Sequence, residues 1–140
     1  MDCPFCDVLI NKKERVIRES QFCFIVLSDP KLMSGHFLVI PKRHVDKPSE
    51  LSKEEREDWF NEIIKLQDEV LEKISPGCDI SEHFRPFIPS GPLKVSHLHM
   101  HVRPRTLDDE LYKKVQIYEK DVFKKITQDE VDVYKKILNP

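Results

Sequence analysis

The chain has 140 residues, 39% hydrophobic and 34% charged, with a formal net charge of −2. That length suits one domain with a respectable core, and the near-neutral charge gives no argument for a nucleic-acid surface. No stretch approaches the roughly 18 apolar residues that would span a bilayer, and Met1-Asp2-Cys3-Pro4 lacks a basic segment followed by an apolar one. The expectation is an intracellular, cytoplasmic protein with no membrane and no nucleic-acid partner. Four cysteines in such a chain point to metal or reactive chemistry ahead of a disulfide framework. The only glycines are Gly35, Gly77 and Gly91, which excludes a glycine-rich phosphate loop.

Cys3-Pro4-Phe5-Cys6 opens the chain. Two thiolates with two residues between them can reach one tetrahedral zinc ion, provided two more ligands come from elsewhere. The rival reading is a thioredoxin-like redox pair, which needs a strand before it. Asp7 to Lys13 suggests a short helical turn. Arg15–Glu19 and Phe22–Leu27 read as two strands joined by a tight hairpin at Ser20-Gln21, with Cys23 as a small core residue. Ser28-Asp29-Pro30 is turn chemistry. Phe37 to Ile40 is a continuous apolar run bounded by Gly35 and Pro41, fitting a central strand, with His36 entering it and His44 just beyond.

Ser52-Lys53-Glu54-Glu55 is a capping-box sequence that starts a helix. Its core stripe is Trp59, Ile63, Leu66, Val70 and Ile74, widened by Phe60, Ile64 and Leu71, and Pro76-Gly77 ends it. Asp79 to Ile88 is expected as a strand, Pro89-Ser90-Gly91-Pro92 as a turn, and Lys94 to Arg103 as the next strand. Leu107 to Tyr118 is ambiguous. Thr127-Gln128-Asp129-Glu130 caps a C-terminal helix through Val131, Tyr134, Ile137 and Leu138, with Lys135-Lys136 on a solvated face.

Within Lys94–Arg103, His97, His99 and His101 alternate with Leu98, Met100 and Val102. On a strand alternate side chains share a face, so the imidazoles point one way and the apolar residues point into a core. Pro104 is expected to close the strand by denying the ladder its next donor. A histidine that only fills space rarely needs two such neighbours, so this face is read as a site.

Gly35-His36-Phe37-Leu38-Val39-Ile40-Pro41-Lys42-Arg43-His44, together with His97-Leu98-His99-Met100-His101-Val102, resembles the histidine triad family of nucleotide-binding proteins. The resemblance covers about residues 1–105, leaving 106–140 as an extension of a single domain. It implies an α+β fold with an antiparallel sheet of about five strands, one long helix and a C-terminal helix, paired into a homodimer. It implies structural zinc on Cys3, Cys6, His44 and His97. It also implies a hydrolase or nucleotidyl transferase in which His99 attacks a nucleotide α-phosphate, His101 donates to the phosphate and His36 supports from the neighbouring strand. The substrate would be a purine mononucleotide or a dinucleoside polyphosphate.

The chain departs from the family pattern before the triad, where Leu93 and Lys94 stand at the usual glutamine and hydroxyl positions. Arg85-Pro86 occupies the region of an asparagine, and Ser28 the place of a ribose-binding acid, with Asp29 one residue late. Lys94 and Arg85 are therefore expected at the substrate as charged replacements, favouring an anionic leaving group, with Ser28 and Asp29 at the sugar. Two other readings stay open: a nucleotide-binding or interaction protein with little turnover, and a hydrolase whose catalytic metal sits on all three triad histidines.

Overall fold

The computed structural model of the protein describes residues 2–91, 93–114 and 123–139. Five antiparallel strands form one sheet: β1 (Arg18–Glu19), β2 (Cys23–Leu27), β3 (Phe37–Pro41), β4 (Gly77–Ser81) and β5 (Met100–Arg105), in the order β1-β2-β3-β5-β4. The helices are α1 (Pro4–Asn11), α2 (Lys53–Lys73), α3 (Glu110–Lys114) and α4 (Gln128–Leu138). The architecture is the expected α+β sheet with one long helix and a C-terminal helix.

β2 and β3 pair over their full lengths, Cys23 opposite Pro41 and Leu27 opposite Phe37. Their continuous apolar runs reflect burial on both faces. One face holds Cys23, Ile25, Val39, Leu98 and Val102 against Trp59, Ile63, Leu66 and Val70 of α2. The other holds Phe24, Val26, Leu38 and Ile40 against Val8 of α1, with Phe5 and Leu9 packed alongside. The sheet is thus a middle layer, and α1 covers only part of its second face.

α2 begins where the capping box places it, with Ser52 accepting from the Glu55 amide and Glu55 accepting from the Ser52 amide. Glu55 also takes two bonds from the Arg43 guanidinium, at 3.1 and 2.9 Å, which pins the Pro41–His44 segment to the helix start. These donors hold the Glu55 carboxyl down to about 2. Trp59 Nε1 donates to the Val39 carbonyl at 3.0 Å, tying the helix to the central strand. The stripe is narrower than expected: Phe60, Ile64, Leu71 and Ile74 are exposed. The first three sit one position around from the buried 59–63–66–70 line, on the side turned off the sheet.

Element boundaries shift for physical reasons. α1 starts at Pro4 rather than Asp7, because proline suits the first helical position and Cys3 caps it. β1 is short because Lys13–Arg15 coils into a 3₁₀ turn. α2 stops at Lys73, and Gly77 already opens β4, where the Arg105 carbonyl lies 3.0 Å from the place a Cβ would occupy. The strand expected over Asp79–Ile88 ends at Ser81, opposite His101 beside the start of β5, and Pro86 and Pro89 keep the later residues from donating to a ladder; Ile88 instead closes a turn onto the Arg85 carbonyl. β5 starts at Met100, not Lys94, and runs through Pro104 to Arg105. β3 pairs only as far as Val102, so on that side the ladder has already ended when the proline arrives. Pro92 of the expected turn and residues 115–118 of the ambiguous stretch lie outside the described residues. In α4 the Thr127 hydroxyl accepts from the Glu130 amide, and no residue of the helix is buried.

Gly35 adopts φ 74°, and a Cβ there would lie 3.2 Å from Pro104 Cγ. Gly35→Ala combines the left-handed penalty, about 1–2 kcal/mol, with that crowding. The variant is expected to lose at least that much stability in urea unfolding.

Candidate active site

β5 and the extended residues before it carry the triad. Leu98 donates its backbone N–H to the Val45 carbonyl at 2.7 Å, fixing the entry to the strand. Leu98 and Val102 are buried under α2 and Met100 packs there, so His97, His99 and His101 turn to the α1 side as alternation requires.

Backbone groups decide the tautomers. His97 Nε2 lies 2.8 Å from the Pro41 carbonyl and His99 Nδ1 lies 2.7 Å from the His97 carbonyl. A carbonyl only accepts, so both nitrogens are protonated and donate. His97 thus presents a lone pair at Nδ1 and His99 at Nε2. The Leu32 amide donates to His36 Nδ1 at 3.2 Å, which leaves the hydrogen of neutral His36 on Nε2. That nitrogen donates to His101 Nδ1 at 2.9 Å, so His101 carries its own hydrogen on Nε2. The result is one imidazole with an available lone pair beside another with an available N–H, their ring centroids 4.8 Å apart. A nucleophile and a hydrogen-bond donor on one face suit attack at a phosphorus.

The second cluster uses the other side of His97. Cys3 Sγ is 3.3 Å from His97 Nδ1, Cys6 Sγ is 3.6 Å from the same atom, and Cys6 Sγ is 3.4 Å from His44 Nδ1. All four donor atoms lie within 4.8 Å of one another. Zinc bonds of about 2.0–2.3 Å at tetrahedral angles put ligands roughly 3.3–3.8 Å apart, so this donor set fits zinc. Asp46 approaches His44 Nε2 at 3.9 Å, on the side away from the sulfurs. Burial and the neighbouring Cys3 push the Cys6 thiol up to about 11. A redox pair needs the opposite shift; the motif itself opens α1, with Cys3 as its cap and Cys6 in its first turn. All four cysteines are free.

The family model described as "Scavenger mRNA decapping enzyme C-term binding" matches residues 2–116. The chain belongs to the histidine triad family. It is 30% identical over 119 residues to the nitrilase and fragile histidine triad fusion protein NitFhit of Drosophila melanogaster, covering 85% of this chain and 25% of that protein. It is 32% identical over 78 residues to the asymmetrical bis(5'-nucleosyl)-tetraphosphatase of Schizosaccharomyces pombe, covering 56% of this chain and 42% of that one. The histidine triad chain therefore spans less than half the length of either relative. Among solved structures, a HIT family member from Bacillus subtilis aligns with a TM-score of 0.75 at 20% identity, over 99% of this chain and 95% of that one. A zinc-bound histidine triad protein from Mycobacterium smegmatis aligns at 0.61 and 24% identity, over 79% and 80% of the two chains. These likenesses show the fold.

The four residues expected at the substrate lie in different situations. The Ser28 hydroxyl donates to the Pro30 carbonyl at 2.8 Å, and Asp29 is exposed beside it. The Lys94 ammonium donates to the Ile88 carbonyl at 2.6 Å, which engages it within its own loop. Arg85 is exposed, near enough to His83 for its charge to lower that imidazole's pKa.

Three further residues in this histidine triad site escape sequence reasoning. Phe5 meets His99 edge-on with centroids 5.0 Å apart, and meets His97 at 5.8 Å. His83 stacks on His101 at 5.0 Å. Arg103 continues the triad's period of two along β5. Only the last had a readable signal, the unbroken alternation 97–99–101–103.

Burial, reinforced by the charge of Arg103, lowers His36 to about 4, and burial with the neighbouring His99 lowers His101 to about 3. The unfolded chain binds these protons near the ordinary value of about 6.5, whereas the folded chain does not. Stability from this pair is therefore full above about 6.5 and declines as pH falls toward 4. The melting temperature is expected to drop over that window, and to drop less steeply in the double variant His36→Gln/His101→Gln. Equal slopes in the two proteins would exclude the pair as the cause.

Proposed function

We propose that the protein is a nucleotide hydrolase or nucleotidyl transferase working through a covalent nucleotidyl-histidine at His99. The observation that carries this reading is the His99 Nδ1–H bond to the His97 carbonyl, which directs the Nε2 lone pair outward beside a donor N–H of His101. In the first step Nε2 forms a bond to the α-phosphorus as the bond to the leaving group breaks. The electron pair departs with the leaving group, and His101 Nε2–H steadies the charge on the phosphate oxygens. Water, or another acceptor, then displaces His99 and releases one proton to solvent. His36 is a positioning residue: it fixes the His101 tautomer and does not meet the phosphate.

Zinc on Cys3, Cys6, His44 and His97 is structural in this reading, since four protein ligands close its coordination shell. It would tie α1, the Arg43-His44 segment and the start of the triad together. The rival assignment of one catalytic metal to all three triad rings is disfavoured by where they point. His97 Nδ1 faces the cysteines, His99 Nδ1 serves the His97 carbonyl and His101 Nδ1 serves His36.

Similarity to the Schizosaccharomyces pombe bis(5'-nucleosyl)-tetraphosphatase makes dinucleoside polyphosphates the first substrates to assay, with purine mononucleotide esters second. Among the described residues no helix is long and apolar enough to cross a membrane. We read the chain as a single cytoplasmic domain with its site in residues 1–105, pairing into a homodimer.

His99→Ala is expected to abolish turnover of diadenosine tetraphosphate, and His101→Ala to slow it roughly 10²–10³-fold while the covalent adduct still forms. A base-quenched reaction should carry one nucleotidyl group, mapped to His99 by mass spectrometry. Full activity in His99→Ala, or an adduct elsewhere, refutes the mechanism.

The purified protein is expected to hold about one zinc per chain. The variant Cys3→Ser/Cys6→Ser should lose the metal and melt at lower temperature. Metal content unchanged in that variant would overturn the assignment.

A further inference from the structure

Among the described residues, the buried side-chain polar atoms without a hydrogen-bond partner are Arg18 Nε, Ser81 Oγ and Arg103 Nε. Arg18 is compensated, because its guanidinium makes two bonds to Glu69, at 3.0 and 2.8 Å, and Nε stands 3.7 Å from Glu62. The other two flank one residue of the triad. Ser81 is opposite His101 in the β4–β5 ladder, and Asp79 is opposite Arg103. Opposed and alternate residues share a face, so Ser81, His101 and Arg103 stand on the same side as His99.

Asp79 is the neighbour that would pair with Arg103, yet it is taken. Arg105 binds Asp79 and also Asp109, the latter at 2.7 Å. Arg103 Nε is buried without a hydrogen-bond partner, and Asp79, held by Arg105, reaches the Arg103 guanidinium only through the field of its charge. A buried guanidinium N–H left without an acceptor is unfavourable, and a hydroxyl left beside it adds to that. Both are relieved by a ligand anion arriving from the triad side. Arg103's charge already acts on His36, His83 and His101, which marks how close it stands to the reacting face.

We propose that Arg103, with Ser81 beside it, selects the leaving group by binding the later phosphates of a polyphosphate whose first phosphorus is attacked by His99. A phosphate chain starting at His99 Nε2 and running along β5 past His101 reaches the Arg103 fork, whose geometry suits bidentate contact with phosphate. When the bridging P–O bond breaks, the electron pair stays on the departing phosphate, and that new charge develops facing Arg103. No proton is required. An amine leaving group needs a proton instead, and a guanidinium cannot give one up. The site is therefore built for phosphate anions over amines.

This inference rests on the His99 reading, and one set of measurements separates the two. kcat/KM is compared for diadenosine tetraphosphate and for an adenosine 5'-phosphoramidate, and inhibition by inorganic triphosphate is measured in the same preparations. In Arg103→Gln the ratio of the two kcat/KM values is expected to fall roughly 10–100-fold, the range for losing a charged hydrogen-bond pair. Triphosphate inhibition should weaken in parallel, with Arg103→Lys restoring part of each and Ser81→Ala giving a smaller loss. If both substrates slow equally, or if triphosphate binds Arg103→Gln as tightly as wild type, the assignment is overturned. If His99→Ala still turns over substrate while triphosphate affinity tracks Arg103, the covalent mechanism falls and the anion subsite stands.

Discussion

His97 is the residue on which the rest of the site depends, because three of its polar atoms are committed at once. Nδ1 faces the two cysteines, Nε2–H is held by the Pro41 carbonyl, and its own carbonyl holds His99 Nδ1–H. Pro41 ends β3, so the ring is oriented by the central strand and not by a flexible loop. A carbonyl cannot donate, and this single fact sets two tautomers in sequence: the first turns a lone pair toward the cysteines, the second leaves one on His99 Nε2. The cysteine–histidine cluster and the His99 ring are therefore mechanically one unit. Phe5 strengthens the link, since it rises from α1 between Cys3 and Cys6 and touches both rings.

The second face of the sheet explains why these histidines stay neutral. Where α1 covers it, the layer is apolar, with Val8 against Phe24, Val26, Leu38 and Ile40. Where α1 stops, the face carries imidazoles in place of aliphatic side chains. They are still largely desolvated, and desolvation penalises the charged form. Their mutual repulsion and the charge of Arg103 act in the same direction. A neutral His101 donates one hydrogen bond from a fixed nitrogen, and a neutral His99 keeps its lone pair. Burial, rather than a partner acid, keeps the pair neutral.

What could be read from sequence followed from strong local periodicities. The 59–63–66–70 spacing, the Ser52–Glu55 box and the Phe37–Ile40 run each have one low-energy solution, and the structure adopts them. The triad's shared face followed from alternation alone. The four-residue cysteine–histidine cluster did not follow from local pattern: Cys3 and Cys6 advertise themselves, whereas His44 and His97 were legible only through the family resemblance, because they join the cysteines across tertiary contacts. His83 and Phe5 were invisible for the same reason, each reaching the site across a tertiary contact. The Asp79–Ile88 strand failed because apolar residues at 80, 84 and 88 suggested a ladder that Pro86 and Pro89 forbid.

Pro104 shows how an apparent strand terminator becomes part of the site. β4 follows β5 to Arg105, whereas β3 leaves it at Val102, so β5 is central at one end and an edge at the other. Proline is tolerated there because the β3-side ladder is already finished. Its ring fills the space next to Gly35, close enough that a Cβ on Gly35 would meet it at 3.2 Å. Only glycine accepts both that approach and a φ of 74°. The turn it makes delivers His36 to Leu32 on one side and to His101 on the other. The orientation of the proposed donor thus traces back, through His36 and Gly35, to a proline placed where one neighbouring strand has run out.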